Sequence, residues 1–408
     1  MTADTTGAPN EESAGSAEQS TAVTDRSTDA EPLRVLFVSL MDLAGRSGGN
    51  IATREIAAAL GRHPEVSLSV VCPRPADTLP ESIAQYAEHT WYLPRKEAGT
   101  VEWHAKSQPA TLRAHWAANR TVDPDLVVAR VGPSSVITPL SALATRTPYI
   151  ALIRGMVGRN LKFGTVVDQI VRTNAMVADE TYVAYSEIAD RYGLGDDATV
   201  FPNAVDPGRF APVPKVTARE QIDAPIAEGD FVVGFVGSLK ERHRIADLLR
   251  GVESLPATEP VRVLVVGDGP QREALEAQVA EAGMGDSVTF CGYVPHDDLA
   301  PYIGACDVTY GVVDEDNPSN PIKCYEYLAC ERPVITSATD ELSFVAEHDI
   351  GITLTRVEPR SVGDAIRRLR SLDDDALAAM GSRGREYVVE NHTWGRLADA
   401  IVATGRSL

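Results

Sequence analysis

The feature that most constrains this chain is an alternation of short apolar runs with helix-period segments, which halts once in a proline-rich stretch and then resumes. "LRVLFVSL" reads as a strand, "NIATREIAAALGR" as a helix with its apolar residues on one face, and "VSLSVVC" as the next strand. "DLVVARV", "YIALI" and "TYVAY" continue the series. Runs so continuously apolar, joined by helices, belong to parallel sheets covered on both faces. Within "FPNAVDPGRFAPVPKVTAREQIDAPIAEGD" the pattern stops, and Pro202, Pro207, Pro212, Pro214 and Pro225 mark a linker. It restarts with "FVVGFVG", "VRVLVVG", "SVTFCG", "DVTYGVV", "RPVITS" and "GITLT", each but the last two followed closely by a helical pattern.

The expected organisation is therefore α/β, with two Rossmann-like domains. Residues 33–202 form the first, 203–228 the linker and 229–390 the second. The end of the chain is helical, and residues 391–408 are expected to pack back toward the first domain with Trp394 as anchor. Residues 1–32 hold Thr, Ser, Ala and seven acids against one arginine, too little apolar surface to offset ordering, and read as a disordered tail. Two open parallel sheets turn the carboxyl ends of their strands, where such sheets bind ligands, toward an interdomain cleft.

Composition narrows the partners. A net charge of −20 excludes a typical nucleic-acid binder, which needs clustered Lys and Arg to neutralise phosphates. Cys72, Cys291, Cys306, Cys324 and Cys330 lie in apolar surroundings without CxxC spacing, which argues against a disulfide framework or a zinc site and for a reducing, cytoplasmic setting. No apolar stretch reaches the roughly 20 residues of a membrane span, and no signal-peptide layout opens the chain.

Several strand-to-helix loops carry polar residues that a plain turn does not require. Gly48 and Gly49 precede a helix, where backbone N–H groups approach an anion closely, and Arg46 and Asn50 flank them. In "GFVGSLKERHRIADLLRGV" the cations Lys240, Arg242, His243 and Arg244 sit ahead of a helix start, an unfavourable place unless an anion compensates. Gly267 and Gly269 in "VVGDGPQREALEA" lack the third glycine of a dinucleotide fingerprint and read as a tight turn lining the cleft. Arg154, Arg159 and Lys162 follow a first-domain strand and suit a phosphate or carboxylate, although solvation accounts equally for the last two. "PRKEAGTVEWHAKSQPATLRAHWAANR", with Trp103 and Trp116, reads as an amphipathic helix, with a membrane-surface or acceptor patch as the alternative.

Taken in order, these stretches resemble the glycosyltransferases of family 4, over nearly all of residues 33–405. "SEIADRYGLGDDATVFPNAVDPGRF" is similar to that family's Pro-Asn-Gly-Val-Asp signature, with Ala204 in place of the glycine. "GSLKERHRI", "VVGDGP", "VTFCGYVPHDDLAPYIGACDV" and "PIKCYEYLACERPVI" follow in the family's sequence and spacing. The resemblance implies the GT-B fold of two facing Rossmann-like domains. It also implies retaining transfer of a sugar from a nucleotide-diphosphate donor to an acceptor hydroxyl, with no obligatory metal or other cofactor. Such transfer serves glycoconjugate, cell-surface polysaccharide or natural-product biosynthesis. Charge developing on the leaving diphosphate would be met by backbone N–H groups and cations.

Carried onto this sequence, the resemblance gives Arg154, Lys240, His243 and Lys323 as catalytic residues. The donor would be bound by Gly48, Gly49, Gly237, Ser238, Arg242, Gly267, Asp268, Gly292, Tyr293, Ser319, Asn320, Pro321, Ile322 and Glu326. Asn320 or Ser319 would cap a helix beginning at Pro321. Lys323 and Glu326 would share one face of it, the first for the diphosphate and the second for both ribose hydroxyls, while Tyr327, Leu328 and Cys330 turn toward the sheet. Departures from the family pattern are Arg154 for a histidine, Ser238 and His243 for the phosphate-binding arginine and lysine, and Pro318 for an upstream glutamate. Asp314 and Asp316 have the Asp-x-Asp spacing of metal-dependent single-domain sugar transferases, but the two-domain pattern favours a solvated acidic loop, with Glu315 reaching the donor sugar. The alternatives are a non-catalytic GT-B partner subunit and a sugar-nucleotide epimerase of the same fold. Peripheral membrane contact is compatible with all three.

Overall fold

The computed structural model describes residues 31–96, 101–156, 164–256, 258–314 and 319–408. Residues 1–30 of the expected tail, Arg159, Lys162, Glu315, Asp316 and Pro318 lie outside them.

Among the described residues, β1 (Leu33–Ser39), β2 (Val66–Pro73), β3 (Ala87–Leu93), β4 (Leu126–Arg130), β5 (Tyr149–Ile153), β6 (Glu180–Val183) and β7 (Thr199–Val200) form one sheet. Their order is β3-β2-β1-β4-β5-β6-β7, all parallel. The second sheet contains β8 (Phe231–Val236), β9 (Val261–Val266), β10 (Val288–Gly292), β11 (Val308–Tyr310), β12 (Val334–Ser337) and β13 (Gly351–Leu354). Its order is β10-β9-β8-β11-β12-β13, again all parallel. Both sheets reverse their winding once, between β1 and β4 and between β8 and β11, and a doubly wound sheet opens its ligand crevice at that reversal. The interiors explain the apolar runs: β4 and β5 are buried at every residue because helices cover both faces.

The chain crosses between the sheets twice, and the two crossings touch. Val205 pairs with Thr393 in an isolated parallel bridge, its N–H donating to His392 O at 2.9 Å. Thr393 then caps the helix Trp394–Ser407, its side chain accepting from Arg396 N. Trp394, Leu397, Ile401 and Val402 join the same core cluster as β1 and the helix Gly48–Arg62, and the Tyr182 hydroxyl lies 2.9 Å from that of Thr404. The last helix thus belongs to the first sheet.

Four features differ from the sequence reading. β3 reads as "AEHTWYL", an edge strand with Leu93 alone buried and the rest part-buried or exposed, so its composition is too polar to stand out. β7 is a two-residue edge with both residues exposed. The linker holds a helix, Lys215–Gln221, whose Ala218 packs in the second domain's core with Phe210 and Ile222. Helices Phe344–Glu347 and Pro359–Arg370 follow β12 and β13, where no helical pattern was expected.

Candidate functional site

Three glycine turns lie side by side at the carboxyl edge of the second sheet. Gly237 N–H donates to Val266 O at 2.9 Å, and Gly267 N–H to Gly292 O at 2.7 Å. Gly237 has φ +144° and Gly267 φ +132°, where L side chains are strained, and space enforces the same choice. A Cβ on Gly267 would lie 1.9 Å from Gly237 O, and one on Gly237 would lie 2.9 Å from Lys323 Nζ. The turns therefore bring backbone up against a lysine.

Lys323 comes from the helix Ile322–Ala329, which follows β11 at the reversal of the second sheet. Residues 323–329 of this helix are all buried. Tyr327 pins it, its hydroxyl accepting from Val236 N at 2.7 Å and donating to Val236 O at 3.1 Å. The expected cap is not formed. The helix starts at Ile322 with Pro321 in the N-cap position and no side-chain cap. Asn320 is engaged elsewhere: its Nδ2 donates to the Tyr325 hydroxyl at 3.0 Å, and its Oδ1 accepts from Asn203 N at 3.3 Å. Its side chain thus ties the linker to the helix rather than closing the helix end. Ser319 is part-buried.

Lys323 is 8% exposed, with Nζ 3.9 Å from the Phe235 ring centroid and 3.5 Å from His243 Nδ1. Burial, reinforced by Arg242, draws its ammonium down to about 7. His243 is pushed far below its ordinary value by burial and then by Lys323, Arg242 and Lys240, so its ring is neutral. Lys240 and Arg242 are exposed at the rim. Arg244 is structural, donating to Asp247 Oδ2 at 2.6 Å and to Val357 O at 3.0 Å. Ser238 is exposed beside the turn, and Asp268 accepts from Gly269 N through Oδ1 at 2.7 Å. Asp314 N–H donates to Arg242 O at 2.7 Å, which docks the loop after β11 on this cationic turn.

One helical turn beyond Lys323 lies Glu326, 5% exposed. The structure gives the two no ion pair with each other. Glu326 Oε1 instead accepts from His296 Nε2 at 2.7 Å. His296, Arg209, Asn203 and Glu55 were not singled out in the sequence. Arg209, Asn203 and His296 nevertheless fall inside the quoted stretches "PNAVDPGRF" and "VPHDD".

The first sheet's edge is built differently. Gly48 and Gly49 open the helix Gly48–Arg62, which Ser47 caps by accepting from Asn50 N. Arg46 stacks on Tyr293 of the second domain, 4.2 Å from the ring centroid. Arg154, 8% exposed, donates to Phe201 O at 2.5 Å, Pro202 O at 3.1 Å and Asn203 Oδ1 at 2.7 Å. Burial and Arg130 draw it down to about 9. Its terminal nitrogens thus bond to the interdomain crossing, while its buried Nε has no hydrogen-bond partner among the described residues. Glu341 reaches the first domain, accepting from Ser186 N at 2.8 Å. In the Val101–Thr121 helix, Trp103 is buried and donates to Pro94 O at 2.9 Å, while Trp116 is 61% exposed with Arg120 stacked on it. All five cysteines are free. No helix among the described residues is long and apolar enough to cross a membrane.

Two facing doubly wound parallel sheets are the GT-B fold, and residues 230–372, which carry the second of them, match the family model "Glycosyl transferases group 1". The 2-deoxystreptamine glucosyltransferase of Streptomyces kanamyceticus is 39% identical over 112 residues, 27% of this chain and 29% of that protein. The D-inositol 3-phosphate glycosyltransferase of Stackebrandtia nassauensis is 28% identical over 248 residues, 58% of this chain and 54% of that one. The chain thus spans about half the length of these curated relatives or less. Anabaena HepE, solved in complex with UDP, has the same fold with a TM-score of 0.74 at 17% identity, over 92% of this chain and 100% of that one.

Proposed function

We propose that the protein is a retaining glycosyltransferase that moves a sugar from a nucleotide-diphosphate donor to an acceptor hydroxyl without an obligatory metal, in glycoconjugate, polysaccharide or natural-product biosynthesis. The observation that carries this reading is Lys323. A buried amine against a glycine turn, with a neutral imidazole and an aromatic face as its near neighbours and Glu326 acting on it only at a distance, has no counter-charge in contact, and a diphosphate would supply one. The peptide N–H groups at the start of the Ile322–Ala329 helix add positive potential at the same place. Glu326, one turn on, is set to accept from both ribose hydroxyls. The leaving diphosphate gains charge as the glycosidic bond breaks, so Lys323 with Lys240 and Arg242 at the rim would stabilise the transition state more than the ground state. The first domain supplies the acceptor side, and its closeness to the anomeric carbon supplies the orientation.

The test is turnover of a panel of UDP-, GDP- and TDP-sugars by the full chain, with 2-deoxystreptamine and D-inositol 3-phosphate among the acceptors, in EDTA. Hydrolysis or transfer with retained anomeric configuration, read by NMR, is expected. Inverted product would remove the retaining assignment, activity restored only by manganese would remove metal independence, and no turnover of any donor would favour the non-catalytic partner.

A further inference from the structure

The signature stretch "PNAVDPGRF" holds residues that the proposed transfer chemistry leaves without a task. Arg209 NH1 donates to Glu55 Oε1 at 2.7 Å, and its Nε lies 3.1 Å from Asp297 Oδ1. The same NH1 lies 3.4 Å from His296 Nδ1, while Phe210 packs edge-on against the His296 ring, centroids 5.1 Å apart. A guanidinium only donates, so Nδ1 is the acceptor and the ring proton sits on Nε2. That proton points at Glu326 Oε1, 2.7 Å away. Glu55 is 1% exposed and belongs to the helix Gly48–Arg62 of the first domain. Four side chains thus run unbroken from that helix through the linker to Glu326, and the linker residues select the histidine's tautomer.

We infer that His296 is a positioning residue for nucleotide recognition. Held by Arg209 and Phe210, it fixes one oxygen of Glu326 and leaves the carboxylate in a single orientation for the ribose hydroxyls. This rests on the proposed reading of Glu326 as the ribose-binding group. A carboxylate held on one oxygen presents its remaining lone pairs in a defined plane, as metal-binding histidines do when a second partner orients them. The signature therefore reaches the donor site through His296 without touching the donor, and it ties that site to the first domain.

The experiment is calorimetric titration of the full chain with UDP, GDP and ADP and with their 2′,3′-dideoxy forms. The preference of each variant for ribose over dideoxyribose reads the orientation of Glu326, and a partly unfolded sample leaves that ratio intact. Wild type is expected to prefer the ribose form by about tenfold or more, the scale of losing hydrogen bonds to a charged group. His296→Ala should lose most of that preference, His296→Gln, which keeps an N–H donor, should restore much of it, and Arg209→Ala should lie between. A His296→Ala protein that keeps the full preference overturns the inference. One that binds ribonucleotides more tightly does so too, since the histidine would then compete with ribose for Glu326. If wild type binds none of the three diphosphates, the donor-site reading itself falls and takes this one with it.

Discussion

Arg154 follows β5 of the first sheet and Lys323 follows β11 of the second; both are buried cations drawn below their ordinary basicity, to about 9 and about 7. Their surroundings differ. Arg154 meets three oxygen acceptors where the first domain passes into the linker, so its desolvation is largely compensated internally. Lys323 meets a ring nitrogen at 3.5 Å and an aromatic face, so its desolvation is compensated poorly within the protein. The Arg154 terminal nitrogens both bond to the protein although its buried Nε does not, whereas Lys323 Nζ meets no oxygen acceptor among the described residues. The two halves share a topology, yet one uses its cation to hold the crossing, and the cation of the other is the one proposed to meet the donor diphosphate.

The contrast breaks most sharply at Arg154. Arg154→Ala should lower unfolding free energy by about 2 to 4 kcal/mol in urea titration, because Phe201 O and Pro202 O lose charged donors. Nucleotide affinity should change little at a temperature where the variant is folded. A variant as stable as wild type whose kcat has collapsed would return Arg154 to the anion-binding role expected from its sequence position.

Lys323→Met should act in the opposite sense on stability. Removing an under-compensated buried charge should leave the melting temperature of the empty protein unchanged or raised. Nucleoside diphosphate binding should fall by about 1.5 to 3 kcal/mol, with the bare nucleoside unaffected. A lowered melting temperature together with unchanged diphosphate affinity would make Lys323 a structural residue like Arg154.

The difference between these two residues shows what the sequence could carry. The alternation of apolar runs and helices made both sheets legible, because strands buried on both faces leave continuous hydrophobic stretches. β3 and the Lys215–Gln221 helix escaped because an edge strand and a seven-residue helix bury too little to leave a periodic trace. The spacing from Lys323 to Glu326 placed both on one buried helix, since three residues is close to one turn. The same local reasoning put Asn320 on a cap, where the linker changed the outcome, and it gave no hint of the protein partners that Arg154 finds. Asn203, 117 residues before Asn320 in the chain, takes that side chain, and it also takes part of Arg154. Partners set by how two domains close have no local signature.

Protonation sharpens the contrast further. The Lys323 ammonium is held near 7 in the empty site, so at pH 8 most molecules carry the neutral amine. A bound diphosphate favours the charged form and raises that pKa, so the complex holds more protons than the free protein. Affinity should therefore fall between pH 7 and pH 9, by up to about tenfold per unit, or about 1.4 kcal/mol. Calorimetry at pH 8 in two buffers of different ionisation enthalpy should register proton uptake, and the Lys323→Met variant should register none. Equal heats in both buffers for wild type would mean that the amine is already charged, or that it does not meet the phosphate.

The smallest expected effect is at Arg46, the exposed counterpart of both buried cations. It sits on the glycine loop of the first domain and stacks on Tyr293, which is 47% exposed on the second, with 4.2 Å between guanidinium carbon and ring centroid. An exposed stack of this kind contributes about 0.5 to 1 kcal/mol. Arg46→Ala should therefore leave unfolding free energy within that range of wild type and raise KM for the donor by no more than about fivefold, by loosening the approach of the two loops. Tyr293→Phe keeps the ring and should behave as wild type, whereas Tyr293→Ala should match Arg46→Ala, and the double variant should be no worse than either. Additive losses in that cycle would show that each residue acts alone, and a large fall in kcat for Arg46→Ala would place a second working cation in the cleft, on the side where the buried ones are engaged with the protein itself.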